Sequence, residues 1–184
     1  MNSKKIKFNS LKIHFANIKT LKGEEDIKDF DNILLPVHEE ESALLLSHFY
    51  VKNKTAHFWG GDGWGPLARY IKRLPFADAI NASWLSHYQA SIKTASNNLF
   101  VQSYRKKYSS DPVDTSALYY EAMKLLMSGN NKSQKSSNIL HSLTSYPGLT
   151  GEVLIKKSNV IRPMPLLYLD KGTVKVSEML TPKE

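Results

Sequence analysis

The chain has 184 residues, 41% of them apolar and 10% aromatic, enough for one ordinary domain with a core and too few for two full-sized ones. It contains no cysteine, which excludes disulfides, thiolate metal sites and cysteine nucleophiles, and no apolar run approaches the roughly 20 residues of a membrane span. The net charge of +8 comes from 25 Lys+Arg against 17 Asp+Glu, but its distribution is that of a solvated surface with a basic N-terminal edge, not of a nucleic-acid-binding stripe.

From the N-terminus, residues 6–15 alternate apolar and polar. That pattern gives a half-buried strand carrying Leu11, Ile13 and Phe15, and it lacks the apolar core of a signal peptide. Residues 31–37 (Asp-Asn-Ile-Leu-Leu-Pro-Val) form a short continuous apolar run, the pattern of a strand buried on both faces. Glu39-Glu40-Glu41 opens a helix, because carboxylates in a first turn complement the positive end of its dipole. Ala43, Leu44, Leu46 and Phe49 supply its apolar positions, and Lys52-Asn53-Lys54 ends it.

Ala56-His57-Phe58-Trp59 is a further strand, running straight into Gly60-Gly61-Asp62-Gly63-Trp64-Gly65. Pro66 suits a helix start, and Leu67, Tyr70, Ile71 and Leu74 carry that helix to Pro75. Residues 79–84 give the next strand. Strands alternating with helices imply βαβ units, a mainly parallel sheet and helices on both faces.

The character then changes. Residues 97–107 predict one amphipathic helix, with Leu99, Phe100 and Tyr104 on one side. Residues 115–127 predict another, with Leu118, Tyr119, Ala122, Leu125 and Leu126 available to pack. Residues 128–137 read as a polar loop, followed by a short helix over 136–143. The chain closes with a strand over 151–155 and a hairpin, 165–169 and 173–176, turned by Asp170-Lys171-Gly172.

One segment has the chemistry of a binding site. In an open α/β sheet, ligands sit beyond the carboxyl ends of the strands. Asp62 stands there between Gly61 and Gly63, flanked by Trp59 and Trp64. Such a carboxylate presents an anion to a cation, with a ring face nearby and glycines allowing close approach. The plain alternative is a tight turn with Asp62 as a helix cap. His38 also follows a strand's carboxyl end and faces the same crevice, or else is a solvent-facing loop histidine. Catalytic and metal signals are poor. The six histidines show no ligand spacing, and no nucleophile elbow, P-loop or dinucleotide fingerprint occurs.

Three segments, in this order, resemble the second half of the type I periplasmic solute-binding protein family, the Leu/Ile/Val-binding and receptor ligand-binding group. They are Asp31-Asn32-Ile33-Leu34-Leu35-Pro36 through Phe58-Trp59-Gly60-Gly61-Asp62-Gly63-Trp64; Phe100-Val101-Gln102-Ser103-Tyr104-Arg105-Lys106-Lys107-Tyr108 with Tyr119-Tyr120-Glu121-Ala122-Met123; and Gly148-Leu149-Thr150-Gly151-Glu152-Val153-Leu154-Ile155 with the closing hairpin. The resemblance implies a Rossmann-like lobe with a mainly parallel sheet, helices on both faces and a C-terminal β-hairpin. Residues 1–110 and 151–184 would form the C-terminal lobe, and residues 111–150 the helical segment of the other lobe.

It also implies a non-catalytic module like the substrate-binding protein of an ABC importer for amino acids or small amides, truncated and without cofactor. Its ligand-binding residues would be Asp62, at the position that holds an α-ammonium, with His38, Trp64 and Gly61. A first-lobe polypeptide, a homodimer partner or an ABC permease are the implied partners, with no nucleic acid and no membrane insertion. The family is periplasmic or extracellular, although no signal peptide is visible. The alternative is a sensor or protein-interaction domain that keeps the fold without binding a small molecule.

Overall fold

A computed structural model describes residues 30–53, 55–65, 67–72, 74–128, 143–156 and 159–181. The expected first strand over 11–15, Pro66, most of the loop over 128–137 and the short helix over 136–143 lie outside them. In chain order the elements are β1 (Asn32–Leu35), α1 (Glu39–Val51), β2 (His57–Gly60), α2 (Leu67–Ile71), β3 (Asn81–Leu85), α3 (Ala95–Tyr108), α4 (Asp114–Ser128), β4 (Ser145–Pro147), β5 (Glu152–Lys156), β6 (Asn159–Ile161), β7 (Met164–Asp170) and β8 (Thr173–Leu180).

Five strands form one sheet in the order β1-β2-β3-β7-β8. The first three are parallel, and the closing hairpin joins them with β7 antiparallel to both β3 and β8. Only β7 therefore runs against the rest. Parallel neighbours cannot be joined by a tight turn. Helix α1 makes the crossover from β1 to β2, while β2 reaches β3 through α2 and the single-turn helices Asp62–Trp64 and Ala77–Ala79.

The core of this unit brings Leu35, Phe58, Trp84, Leu167 and Leu169 from the strands against Leu45, Leu46 and Phe49 of α1 and Leu67 and Ile71 of α2. Helix α1 buries Leu45 and leaves Leu44 half exposed, a shift of one residue from the face expected. The expectation that β1 is buried on both faces also gives way, since Leu34 is 68% exposed. Helix α2 ends at Ile71, well before Pro75.

The rest packs by itself. Phe100 and Val101 of α3, Ala117 of α4, Tyr88 and Leu149 form a second core, with Tyr104 and Tyr120 against it. Phe100 and Tyr120 stack at 4.4 Å between centroids. The Thr94 hydroxyl caps α3 by accepting from the Asn97 N–H at 3.0 Å, and it donates to the Leu149 carbonyl. Strands β4, β5 and β6 form a separate antiparallel sheet. Helix α3 thus groups with α4 and β4–β6, and the division expected at 110 and 151 falls inside this unit. The side chains that join them are aromatic and distant in sequence, so no local change of composition marks the boundary.

Candidate functional site

Strands β1, β2 and β3 are parallel and aligned, Leu35 beside Gly60 and Gly60 beside Trp84. Their carboxyl ends therefore lie along one edge of the sheet, and the residues that follow them, His38, Asp62 and His87, are delivered there in a row.

His38 occupies the cap position of α1. Its carbonyl accepts from the backbone N–H of Ser42 at 2.9 Å and from the Ser42 hydroxyl at 2.7 Å. Its ring lies against Gly63, where an added Cβ would meet Nδ1 at 3.2 Å. Asp62 opens the 3-10 turn behind Gly61, and its side chain does not cap that turn. It is 67% exposed and reaches the ring of His87, Oδ2 to Nε2 at 3.2 Å. That contact is an ion pair when the imidazole is protonated.

Three sequence expectations are corrected here. Trp64 has no exposed surface. Its ring lies inside the sheet core, 6.0 Å from that of Trp84, so it offers no face to a ligand. The slot exists because Gly60 has no side chain, a Cβ there falling inside the Trp64 ring. Nor do the glycines of this turn use positive φ. Gly61 is extended, and the positive-φ glycines of the described residues are Gly151 and Gly172. Gly61 meets nothing within 4 Å of a would-be Cβ, so it faces open space beside Asp62. Trp59 is not at the crevice either, its indole N–H donating to Asn32 Oδ1 at 2.9 Å along the sheet.

A polar line runs back from this edge into the second unit. Arg162, between β6 and β7, places Nη2 3.4 Å from the His87 carbonyl, 3.4 Å from the Thr150 hydroxyl and 2.8 Å from Oε2 of the buried Glu121. Glu121 Oε1 accepts from the Leu149 N–H. A buried carboxylate without such partners costs several kcal/mol, so the line is a structural requirement of α4. Burial, with the Glu121 charge adding to it, pushes the Tyr146 phenol above its ordinary range. Burial likewise pushes up that of Tyr88, whose hydroxyl donates to Asn97 Oδ1 at 2.8 Å.

A cavity of about 300 Å³ lies between α2, the loop before α4 and the closing hairpin, lined by Arg69, Tyr88, Asp111, Asp114 and Val174 among others. Asp62, His38 and His87 are not in its wall, and Asp62 itself is largely exposed. No group of three metal-ligating side chains occurs among the described residues. His87 was missed in the sequence, although the rule that selects His38 and Asp62, a polar residue just beyond a parallel strand, selects it too.

No protein-family profile and no curated protein matches the chain. Solved structures do. The branched-chain amino acid transporter substrate-binding protein LivJ of Streptococcus pneumoniae, in complex with isoleucine, is 22% identical at a TM-score of 0.71, over 91% of this chain and 48% of that one. The leucine-binding protein LivK of Thermotoga maritima is 19% identical at 0.68, over 83% and 45%. An ABC transporter substrate-binding protein of Desulfitobacterium hafniense, in complex with Leu, is 17% identical at 0.67, over 89% and 49%. The chain spans about half the length of these structures.

Proposed function

Because the chain carries the periplasmic-binding-protein type I fold over about half the length of its structural neighbours, we propose that it is a non-catalytic solute-binding module. Its ligand is an amino acid or a related small amide, handed to an ABC importer. The observation that carries this reading is the exposed Asp62 carboxylate on the edge where three parallel strands end, with His38 and Gly61 beside it. An ammonium held there gains a charge-assisted hydrogen bond, about 1.5–3 kcal/mol.

The described residues supply one wall of such a site. The second wall would come from a lobe completing the fold, whether a first-lobe polypeptide or another copy of this chain, and the site of action is periplasmic or extracellular, the locations in the names of two further structural neighbours. No helix among the described residues is long and apolar enough to cross a membrane.

A thermal-shift screen of the 184-residue chain against amino acids and small amides, with Asp62→Ala alongside, tests this. A ligand at 100 times its dissociation constant adds about 2.7 kcal/mol, which raises the melting temperature by roughly 5–10 °C at this size. The expected result is a shift with a branched-chain amino acid that vanishes in Asp62→Ala. A flat response across the panel overturns it. One observation favours a second reading, an interaction domain that keeps the fold: Tyr119, Met123 and Leu126 line up exposed along α4. That reading expects the flat response.

A further inference from the structure

We propose that His87 is the third side chain of this site and the internal occupant of Asp62. In the free protein its imidazole holds the carboxylate that a ligand ammonium takes, and because that contact becomes an ion pair on protonation, ligand binding weakens as the pH falls. This deepens the amino-acid-binding reading above and rests on it.

Three observations carry the assignment. His87 follows β3 as Asp62 follows β2, and its Nε2 lies 3.2 Å from Asp62 Oδ2, the group expected to meet a ligand cation. The backbone around it is anchored on both sides. The Ser86 N–H donates to the Pro165 carbonyl at 3.1 Å, the Ser86 hydroxyl to the Tyr88 carbonyl at 3.0 Å, and Arg162 Nη2 to the carbonyl of His87 itself. The ring, by contrast, is 34% exposed. Rotation about its own side-chain bonds is thus enough to vacate the carboxylate, with no backbone rearrangement.

Among the described residues, the charged and titratable groups around His87 are few. Asp62 faces its ring. Arg162 stands behind its carbonyl, paired with buried Glu121. His38 lies against Gly63 at the end of β1, on the far side of β2 from His87. An imidazole gains its charge as pH falls through about 8 to 5, while carboxylates and alkylammonium groups keep theirs. The competitor therefore strengthens toward acid, and the ligand's hold on Asp62 weakens.

The probe is isoleucine, titrated calorimetrically into the full chain at pH 7.5 and 5.5. Wild type is expected to bind about three- to fivefold more weakly at pH 5.5, the worth of one largely exposed ion pair. His87→Gln should hold its affinity within about twofold across the interval, and His38→Gln should keep the wild-type profile. Equal pH profiles in wild type and His87→Gln overturn the proposal while leaving the ammonium site standing. A profile flattened only by His38→Gln overturns it too. Absence of isoleucine binding in every variant removes the underlying reading, and the competitor role with it. The contact itself is read without ligand, from the imidazole nitrogen resonances at pH 5.5. Asp62→Asn should move those of His87 more than those of any other histidine, and no change at His87 overturns the proposal.

Discussion

Around the five-stranded sheet the large apolar side chains turn inward: Leu45, Leu46 and Phe49 of α1 and Leu67 and Ile71 of α2 are all buried against strand residues. On α4 the arrangement is reversed. Its inward positions are Ala117, Tyr120 and Glu121, while Met123, Leu126, Met127 and Tyr119, the last 75% exposed, face outward. The first unit has the larger aliphatic core, and the second adds hydrogen bonds to a buried acid and a cluster of aromatic contacts to a smaller one. A helix that hides its carboxylate and shows its methionines has an outer face suited to a partner surface, and its own stability does not depend on that face.

The sharpest way to break this comparison is at the centre of the sheet. Trp84 has no exposed surface and packs beside Trp64. Trp84→Ala should cost about 3–5 kcal/mol, read from the urea midpoint. A cost under about 1 kcal/mol would mean that the sheet core is not what holds this unit.

The second unit is best probed through Tyr88. Its buried phenol is held above the ordinary range of about 10. The folded protein keeps the proton that the unfolded chain gives up, so this stability is complete below about pH 10 and is lost as pH rises beyond it. At neutral pH, Tyr88→Phe should cost about 1 kcal/mol, the worth of the Asn97 hydrogen bond. Between pH 10 and 11.5 the gap between variant and wild type should close, as followed by chemical denaturation at each pH. The smallest effect belongs to α4. Met123→Lys and Met127→Lys should each change stability by less than about 0.5 kcal/mol, and a larger loss in thermal melts would show that their face is packed within the chain.

Much of the sheet unit was legible because its signals are local. Short apolar runs ending in Pro36 or Gly60 mark β1 and β2, the Asp170-Lys171-Gly172 turn marks the hairpin, and α3 and α4 begin and end within two residues of the periodicity. The strand-end rule selected Asp62 and His38, and both lie just beyond the aligned ends of β1 and β2. It stopped short of His87 because the third strand was expected to end at Trp84, which left the next polar residues outside the argument.

Trp64 was misplaced for a different reason. A tryptophan between glycines in a turn looks exposed, and only the tertiary fit over Gly60 shows that it is core. Glu121 and Arg162 were invisible for the same kind of cause. Their pairing joins distant segments, and a buried acid cannot be told from a solvated one by helical spacing. That pairing is also why the apolar residues of α4 suggested the wrong inner face.

The pairing of β3 with β7 has a consequence for how this chain is made. Ser83 finds Tyr168, and Trp84 finds Leu167, only after the whole of α3, α4 and β4–β6 has been synthesised. At about 5–20 residues per second, β3 emerges from the ribosome and waits several seconds with one row of amides and carbonyls unpaired, an edge open to any passing strand. The strand that closes it, β7, follows all of those segments in the chain, so a nascent chain interrupted before β7 would keep that edge bare.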